Sequence, residues 1–507
     1  MNSKTWTRII AMTSLAALAI PVHLAAQNNQ VPHHQYHHYQ LIDLGTFGGP
    51  QSYVYDDGYA SLLNNHGELA GWADTSTPDP FPNFCFNTDC FVSHAFQWRN
   101  NVRTDLGVLP HGWSSGTTWI SPSGLIAGFS QNGEIDPLFA GFPVMQAVLW
   151  KQGKIIDLGS LPEGGYESAA NSVNSGGQVV GAALNTVPDP NSMIISFNFF
   201  PPIPFQTRAF LWEKGKGMQD LGTLPGGTDA QATLINDRSQ VVGWSYTSPD
   251  PSPSCSVFGI SLTTGSFLWE KGKGMVDLGG FGGTCTLAYA LNNRGQIIGE
   301  SWLEGDLAAH PFIWNRATGL SDLGTLGGNF GQPQGINDNG QVVGGASKPG
   351  DVQFDAFLWD GTMHDLGALG SDTCAWAFSI NATGQVVGHS CTDNPRGFVW
   401  EDGGPMVDLN TLVPSQSALY VQSAWNINDT GEIGGAGVDA AGNNHALLLI
   451  PCDENHPGVE RCDYSLVDPV AAPQSPVRRD LPVITQRPNR SQRTNRFRIP
   501  GLQSPSR

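Results

Sequence analysis

Positive charge is what this chain has least of. Its 507 residues include only 25 Lys or Arg against 44 Asp or Glu, a formal net charge of −19 at pH 7. A phosphate-rich partner would be repelled by most of its surface, which excludes nucleic acid and anionic membranes as partners of the body of the protein. Charged residues of both signs make up only 14%, a composition unlike that of helical bundles. Long apolar runs are also missing: after Ile9–Ile20 no segment approaches membrane-span length. There is no G-x-S-x-G elbow, no H-E-x-x-H, no phosphate loop and no clustered calcium loop. The resulting expectation is a chain that is not an enzyme and holds neither cofactor nor metal.

What is abundant is glycine, 62 residues, together with 15 Trp and 24 Phe, enough apolar bulk for a large core of short strands joined by tight turns. Lys4 and Arg8 precede the early apolar run, and Ala25 and Ala26 follow it, so residues 1–26 read as a secretory signal and the chain as secreted or extracellular, at the periplasm or cell surface. His33, His34, His37 and His38 fall in a segment, 27–38, expected to be a flexible linker. Residues 452–507 are expected to form a disulfide loop and a disordered basic tail carrying Arg478, Arg479, Arg487, Arg490, Arg493, Arg496, Arg498 and Arg507. Such a tail could contact anionic envelope polymers.

Eight cysteines in an exported chain should be paired. Cys85 with Cys90 and Cys452 with Cys462 bracket short loops, and Cys374 and Cys391 lie equally far from the turn Asn381-Ala382-Thr383-Gly384, opposite one another on a hairpin. Cys255 and Cys285 are left for each other by elimination.

Between these ends, residues 39–451, one unit recurs. In Ala356–Gly388 it reads AFLW, DGTM, HDLG, a glycine-rich link, AWAFSIN, ATG and QVVG. Asp-Leu pairs begin at Asp43, Asp105, Asp157, Asp220, Asp277, Asp322, Asp365 and Asp408, and an asparagine stands at Asn65, Asn174, Asn236, Asn292, Asn337, Asn381 and Asn428, with Ser121 in the remaining copy. A tryptophan ends the AFLW element at Trp98, Trp150, Trp212, Trp269, Trp314, Trp359 and Trp400. The segments are short, rich in Val, Ile, Phe and Trp, and bounded by Gly, Asn and Asp, so they read as strands. Asn-x-x-Gly between two of them is a hairpin turn whose glycine takes the left-handed conformation.

Two hairpins per unit make a four-stranded antiparallel sheet, and the expected fold is all-β: a single β-propeller of about eight such blades, with seven as a fallback. The strand at Gln40–Leu44 lacks its AFLW partner and the strand at His445–Leu449 lacks its Asp-Leu partner. These two should complete one another and close the ring. Trp and the Asp-Leu leucines are expected to fill the space between blades, and the Asp-Leu aspartates to bond nearby amides.

The recurrence in register of His94-Ala95-Phe96, Arg208-Ala209-Phe210-Leu211-Trp212, Asp322 to Gly328 and Ile336 to Gly344 resembles the bacterial extracellular repeat family named for its HAF tripeptide. The resemblance covers roughly Leu41 to Ile450 and implies secretion and a repeat fold, with no activity established for the family as a class.

Successive Asp-Leu pairs are 62, 52, 63, 57, 45, 43 and 43 residues apart, so the early units carry inserts, at about Asp74–Ser93, Ser130–Met145, Leu184–Thr207 and Thr247–Thr264. They should rise from one face, and they are apolar: Phe81, Phe84, Phe139, Phe142, Phe197, Phe199 and Phe200 lie in them. Such side chains either pack on one another as a cap or form a ligand surface. The function expected is a secreted, monomeric binding or scaffold protein that presents these loops to an extracellular protein or glycan. A carbohydrate-active hydrolase or lyase, and a cell-surface adhesion component, are the alternatives.

Overall fold

In the computed structural model the described residues are 35–54, 61–138, 141–189, 191–192, 205–257, 260–392, 394–401 and 403–468, the side chains of 249–261 excepted. The signal and the basic tail expected from the sequence lie outside them. No helix among the described residues is long and apolar enough to cross a membrane.

The repeated segments are strands throughout, and the helical turn Leu409–Thr411 is the only helix among the described residues. They group into six four-stranded antiparallel sheets and one eight-stranded sheet, in which two four-strand units meet through a single parallel pairing of Thr264 with Cys285. In one unit the strands are Gly331–Ile336, Val342–Ser347, Phe354–Trp359 and Met363–Gly367, each paired with the next. The first turn closes where Gly340 N–H reaches Asn337 O at 3.0 Å, with Gly340 at φ +84°, a conformation cheap only for glycine.

The second and third strands explain the recurring Val-Val-Gly and Ala-Phe. In six of the eight units the glycine lies directly opposite a phenylalanine, Gly71 with Phe96, Gly181 with Phe210, Gly243 with Phe267, Gly299 with Phe312, Gly344 with Phe357 and Gly388 with Phe398, while Gly128 faces Val148 and Gly435 faces Leu447. All six rings are fully buried, because each lies across the bare backbone of its glycine. The tryptophans are more peripheral than the sequence suggested. Trp150 and Trp400 are buried, whereas Trp98, Trp212, Trp269, Trp314 and Trp359 are only partly so.

Units are tied to their neighbours by the asparagine of each first turn. Its Oδ1 caps its own turn: Asn337 Oδ1 accepts from Asn339 N at 3.0 Å and Gln341 N at 3.1 Å. Its Nδ2 donates to the backbone carbonyl at the same position in the next unit. Asn174 thus reaches Asn236 O (3.2 Å), Asn236 reaches Asn292 O (3.0 Å), and Asn292 reaches Asn337 O (3.0 Å). Asn337 continues to Asn381 O (2.9 Å), Asn381 to Asn428 O (3.0 Å), Asn428 to Asn64 O (3.1 Å), and Asn64 to Ser121 O (3.4 Å). Where Ser121 replaces asparagine, its Oγ still caps the turn, accepting from Leu125 N at 3.0 Å, and Ser123 Oγ makes the onward bond to Ser175 O at 3.3 Å.

This corrects the register read from the sequence in the first unit. Asn64, three residues before Gly67, takes the repeat role assigned to Asn65, and Asn65 instead exchanges bonds with Asp429.

The two orphan strands do pair. Tyr39–Asp43 lies antiparallel to Asn444–Pro451, with Leu41 opposite Leu449 and Asp43 opposite Leu447. Tyr36 and His37, at the end of the segment expected to be a linker, form a further short strand against Leu466–Val467. His37 Nδ1 lies 3.2 Å from Cys452 O, in the loop closed by the Cys452–Cys462 disulfide. Cys85–Cys90 and Cys374–Cys391 are bonded as expected. Cys285 is disulfide-bonded, and the Cys255 side chain lies outside the described residues.

Two predictions follow from this architecture. A Cβ on Gly344 would stand 2.1 Å from Gln332 O and 2.9 Å from the Phe357 ring, so Gly344→Ala should cost about 1–3 kcal/mol or more in denaturant unfolding. A change below about 0.5 kcal/mol, the range of an ordinary surface substitution, would refute the glycine–phenylalanine account. The second concerns His445 and Asp43, whose Nδ1 and Oδ1 are 2.9 Å apart across the strand pair joining the chain's two ends. The bond to Asp43 outweighs burial and raises the His445 pKa above 6.5. Burial pushes the Asp43 carboxyl up, but His445, the Gly45 amide and Arg103 together bring it below 3.8. The histidine's contribution is therefore complete below its unfolded value and lost as pH rises through its folded one. The aspartate's contribution is lost as pH falls through its own lowered value. Subtracting the unfolding free energies of His445→Gln from those of the natural chain should show a plateau between about pH 4 and 6.5 that declines on both sides; a difference independent of pH would contradict it.

Candidate binding face built by the inserts

In an antiparallel unit the connection between second and third strands shares its edge with the link to the next unit. The extra length of the early units falls at this edge. Three second strands, Leu69–Pro78, Ile126–Ile135 and Val179–Pro188, each run to 10 residues with the same alternation of burial. Each ends in an aspartate followed by proline, and its Oδ1 accepts the amide two residues on. Asp79 binds Phe81 N (2.8 Å), Asp136 binds Leu138 N (2.6 Å) and Asp189 binds Asn191 N (2.8 Å). The first three inserts are thus copies of one turn, and the Asp-Pro recurrence at Asp79, Asp136 and Asp189 was the signal for it in the sequence, whereas the fourth Asp-Pro, at Asp250, lies within the strand Val241–Val257.

Of the aromatic side chains expected on this face, Phe142 is 1% exposed and packs in one apolar cluster with Trp72, Phe86, Phe129 and Met145. Phe84 meets it edge to face at a centroid distance of 5.6 Å. For these two the arrangement is a cap. Phe81 is half-buried, and Phe139, Phe197, Phe199 and Phe200 lie outside the described residues. Other apolar side chains are open to solvent at the same edge: Trp113 (42%), Ile135 (45%), Leu138 (39%), Val187 (47%), Leu307 (83%) and Val352 (78%).

The inserts also bring carboxyl groups together. Asp74 Oδ1 accepts from Ser93 Oγ (2.6 Å) and Asn87 Nδ2 (3.2 Å), and its Oδ2 from Gln51 N (3.1 Å). Asp89 Oδ2 accepts from Gln51 Nε2 (2.8 Å) and Tyr53 OH (3.2 Å). Burial, and then the hydrogen bond with the Asp89 carboxyl, push Asp74 up to about 8, so Asp74 holds its proton at neutral pH.

The repeat background is broken at one further position, the residue after the Val-Val-Gly glycine. There Trp72, Phe129 and Trp244 are aromatic, but the fifth and seventh units carry Glu300 and His389. Gln332 Nε2 donates to Tyr289 OH at 2.9 Å. Desolvation raises the neighbouring Glu300 carboxyl to about 7 against the opposing hydrogen bond of that tyrosine. Desolvation lowers His389 to about 4, so the ring is neutral at pH 7. His389 Nδ1 lies 2.9 Å from Ser423 Oγ, and the ring sits against Phe378 and Trp425.

The repeated aspartates bond amides as expected: Asp105, Asp220 and Asp322 accept from Gly107, Gly222 and Gly324 N at 2.7–2.8 Å. Sequence reasoning missed their second partner, the first residue of the HAF element on the adjoining strand. His94 pairs with Asp105 and His310 with Asp322, both at 2.9 Å, and Arg208 pairs with Asp220 at 2.8 Å.

No family model and no curated protein matches the chain. Solved structures do. The β-propeller domain of the Trilobed protease from Pyrococcus furiosus matches 71% of this chain and 98% of its own, at 12% identity and a TM-score of 0.39. The Pyrococcus horikoshii acylaminoacyl peptidase matches 66% of this chain at 9% identity and a TM-score of 0.40. Dipeptidyl peptidase 4 of Porphyromonas gingivalis matches 79% at 9% identity and a TM-score of 0.39. This chain spans about half of the second structure, 51%, and 64% of the third. All three structures are peptidases or a protease's propeller domain, and the expectation of a chain without catalytic activity is withdrawn. It rested on a motif scan, which sees only contiguous patterns and is blind to groups that separate units contribute.

The carboxyl pair makes a prediction. Because Asp74 keeps its proton in the folded chain to about pH 8, folding is penalised progressively as pH rises from the unfolded value near 4 to about 8. Asp74→Asn, which cannot ionise, should remove that slope in unfolding experiments at a series of pH values. A slope as steep as that of the natural chain would show that the pair is not the origin.

Proposed function

We propose that the four-strand units are the eight blades of one closed β-propeller, a secreted protein of the HAF-repeat type whose insert-bearing face captures an extracellular protein or glycan. Closure is supported by the pairing of Tyr39–Asp43 with Asn444–Pro451 and by the asparagine bonds that lead from unit to unit and from Asn428 back to Asn64. The disulfides Cys85–Cys90, Cys374–Cys391 and Cys452–Cys462 are in keeping with an oxidising compartment.

The observation that carries the binding reading is the distribution of exposed apolar side chains. Trp113, Ile135, Leu138, Val187, Leu307 and Val352 stand at the edge that bears the inserts, against Val102 and Val276 on fourth strands, and apolar surface concentrated on one face marks an interaction site. The second reading is hydrolysis in the same region. It is favoured by Glu300 and His389, titratable groups with displaced pKa values where the repeat calls for apolar residues.

Screening the full chain on glycan and peptide arrays, with turnover of each captured ligand followed by mass spectrometry, separates the two. Capture should fall at least tenfold in the double variant Leu307→Ser, Val352→Ser at unchanged melting temperature. Equal capture by that folded variant would dismiss this face. Turnover abolished by Glu300→Gln or His389→Gln would establish the hydrolytic reading.

A further inference from the structure

The seventh and eighth units meet at a histidine and a serine: Ser423 Oγ lies 2.9 Å from His389 Nδ1. His389 follows the Val-Val-Gly glycine of the seventh unit, and Ser423 lies on the first strand of the eighth, Tyr420–Ile427. The local backbone brings them together. Val421 pairs with Gly437 but Ser423 with Ala436, so Gln422 is an extra residue, a bulge of the kind that re-aims a neighbouring side chain. Gly397 stands opposite His389, where Ala95, Ala147 and Ala209 stand in other units. A Cβ on Gly397 would come within 2.9 Å of the Val421 side chain and 3.4 Å of the Ser423 backbone, so the bare glycine admits the strand that bears the serine.

The surroundings are apolar with one exception. The imidazole stands nearly perpendicular to Phe378 and Trp425, at centroid distances of 4.9 and 5.4 Å. Phe378 in turn packs with Phe354 and Trp376. The exception is Trp425 Nε1, a hydrogen-bond donor that is buried with no acceptor. Burial among these rings keeps His389 uncharged at neutral pH, as a group that is to accept a proton must be. Ser423 is 6% exposed, while His389 and Trp425 each keep part of their surface at solvent, so the pair lies at the margin of the aromatic cluster.

We propose that Ser423 is a nucleophile with His389 as its general base, and that the pair cleaves carboxylic esters with an apolar acyl group. Ser423 Oγ attacks the ester carbonyl carbon and its proton passes to His389 Nδ1. The carbonyl electron pair moves onto oxygen, for which the Trp425 indole N–H is the free donor. Collapse breaks the bond to the alkoxy group, which takes the proton from Nδ1 and leaves as an alcohol. Water then repeats the sequence, releasing the carboxylic acid and restoring the serine. The buried imidazole is a weak base, which suits the more electrophilic carbonyl of an ester over that of an amide, and Phe354, Trp376 and Phe378 supply the apolar wall for the acyl group. The assignment rests on the hydrolytic reading and narrows it to one bond class.

The full chain is treated at pH 7.5 with a fluorophosphonate, which labels an activated serine with loss of fluoride, and adducts are mapped by peptide mass spectrometry. The label should fall on Ser423. Its rate should drop about a hundredfold or more in His389→Gln and about tenfold or more in Trp425→Phe, which keeps a ring and removes the donor. Hydrolysis of p-nitrophenyl butyrate should follow the label and vanish in Ser423→Ala. An unlabelled Ser423, with turnover persisting in Ser423→Ala, overturns the proposal and leaves hydrolysis to other groups; an unlabelled Ser423 in a chain that turns over no ester, glycan or peptide overturns it together with the hydrolytic reading. A label that forms equally fast in His389→Gln also overturns it. If that variant does not fold, the natural chain decides: labelling should be half-suppressed near pH 4, where His389 takes up a proton, and a rate unchanged between neutral pH and that point is the contrary result.

Discussion

The structure depends on one side-chain amide repeated from unit to unit. An asparagine at the first turn needs its carbonyl oxygen to hold the turn's own amides and its NH2 group to reach the backbone of the next unit. Aspartate has no donor for the second task, and serine spreads the two tasks over Ser121 and Ser123. Each bond is buried, so losing one strands a carbonyl away from water at about 1–3 kcal/mol. Neighbouring units therefore hold a fixed height relative to one another, and the apolar faces between them meet in register.

That register lets a bulky ring and a bare glycine share the middle of each sheet. Phe312 lies where a Cβ on Gly299 would come within 2.7 Å of it, so the pair can change only together. The same logic explains why most of the tryptophans are less buried than their size suggested: the place of closest packing is already taken by the phenylalanine two residues earlier on the same strand, and where Val148 stands there instead, Trp150 is fully buried.

Much of this was legible because it recurs. The turn glycines, the pairing of the two orphan strands and the Cys374–Cys391 bridge all followed from spacing alone, whereas the second strands of the early units run longer than the short segments read from the sequence. What escaped was whatever spacing leaves ambiguous. With Asn64 and Asn65 adjacent, only the distance to Gly67 distinguishes the belt residue from its neighbour. The HAF histidine and the Asp-Leu aspartate are 11 residues apart at His94 and Asp105, and their contact appears only once the third and fourth strands are laid side by side. The carboxyl pair was hidden for a related reason. Asp74 stands in a strand and Asp89 in the loop that follows it, and each alone looks like an ordinary acid, so the burial of Asp74 beside a second carboxyl becomes visible only in three dimensions.

The strand Tyr39–Asp43 has a consequence for how the molecule comes into being. Its partner begins about four hundred residues later, with Asp43 and His445 separated by 402 positions. A chain that stops short of Asn444 therefore leaves this strand unmatched, and the pairing of Tyr36 with Val467 spans a longer loop still. Both closures carry an entropic cost that the local hairpins of the units do not, so a truncated chain lacks the contacts that join its two ends.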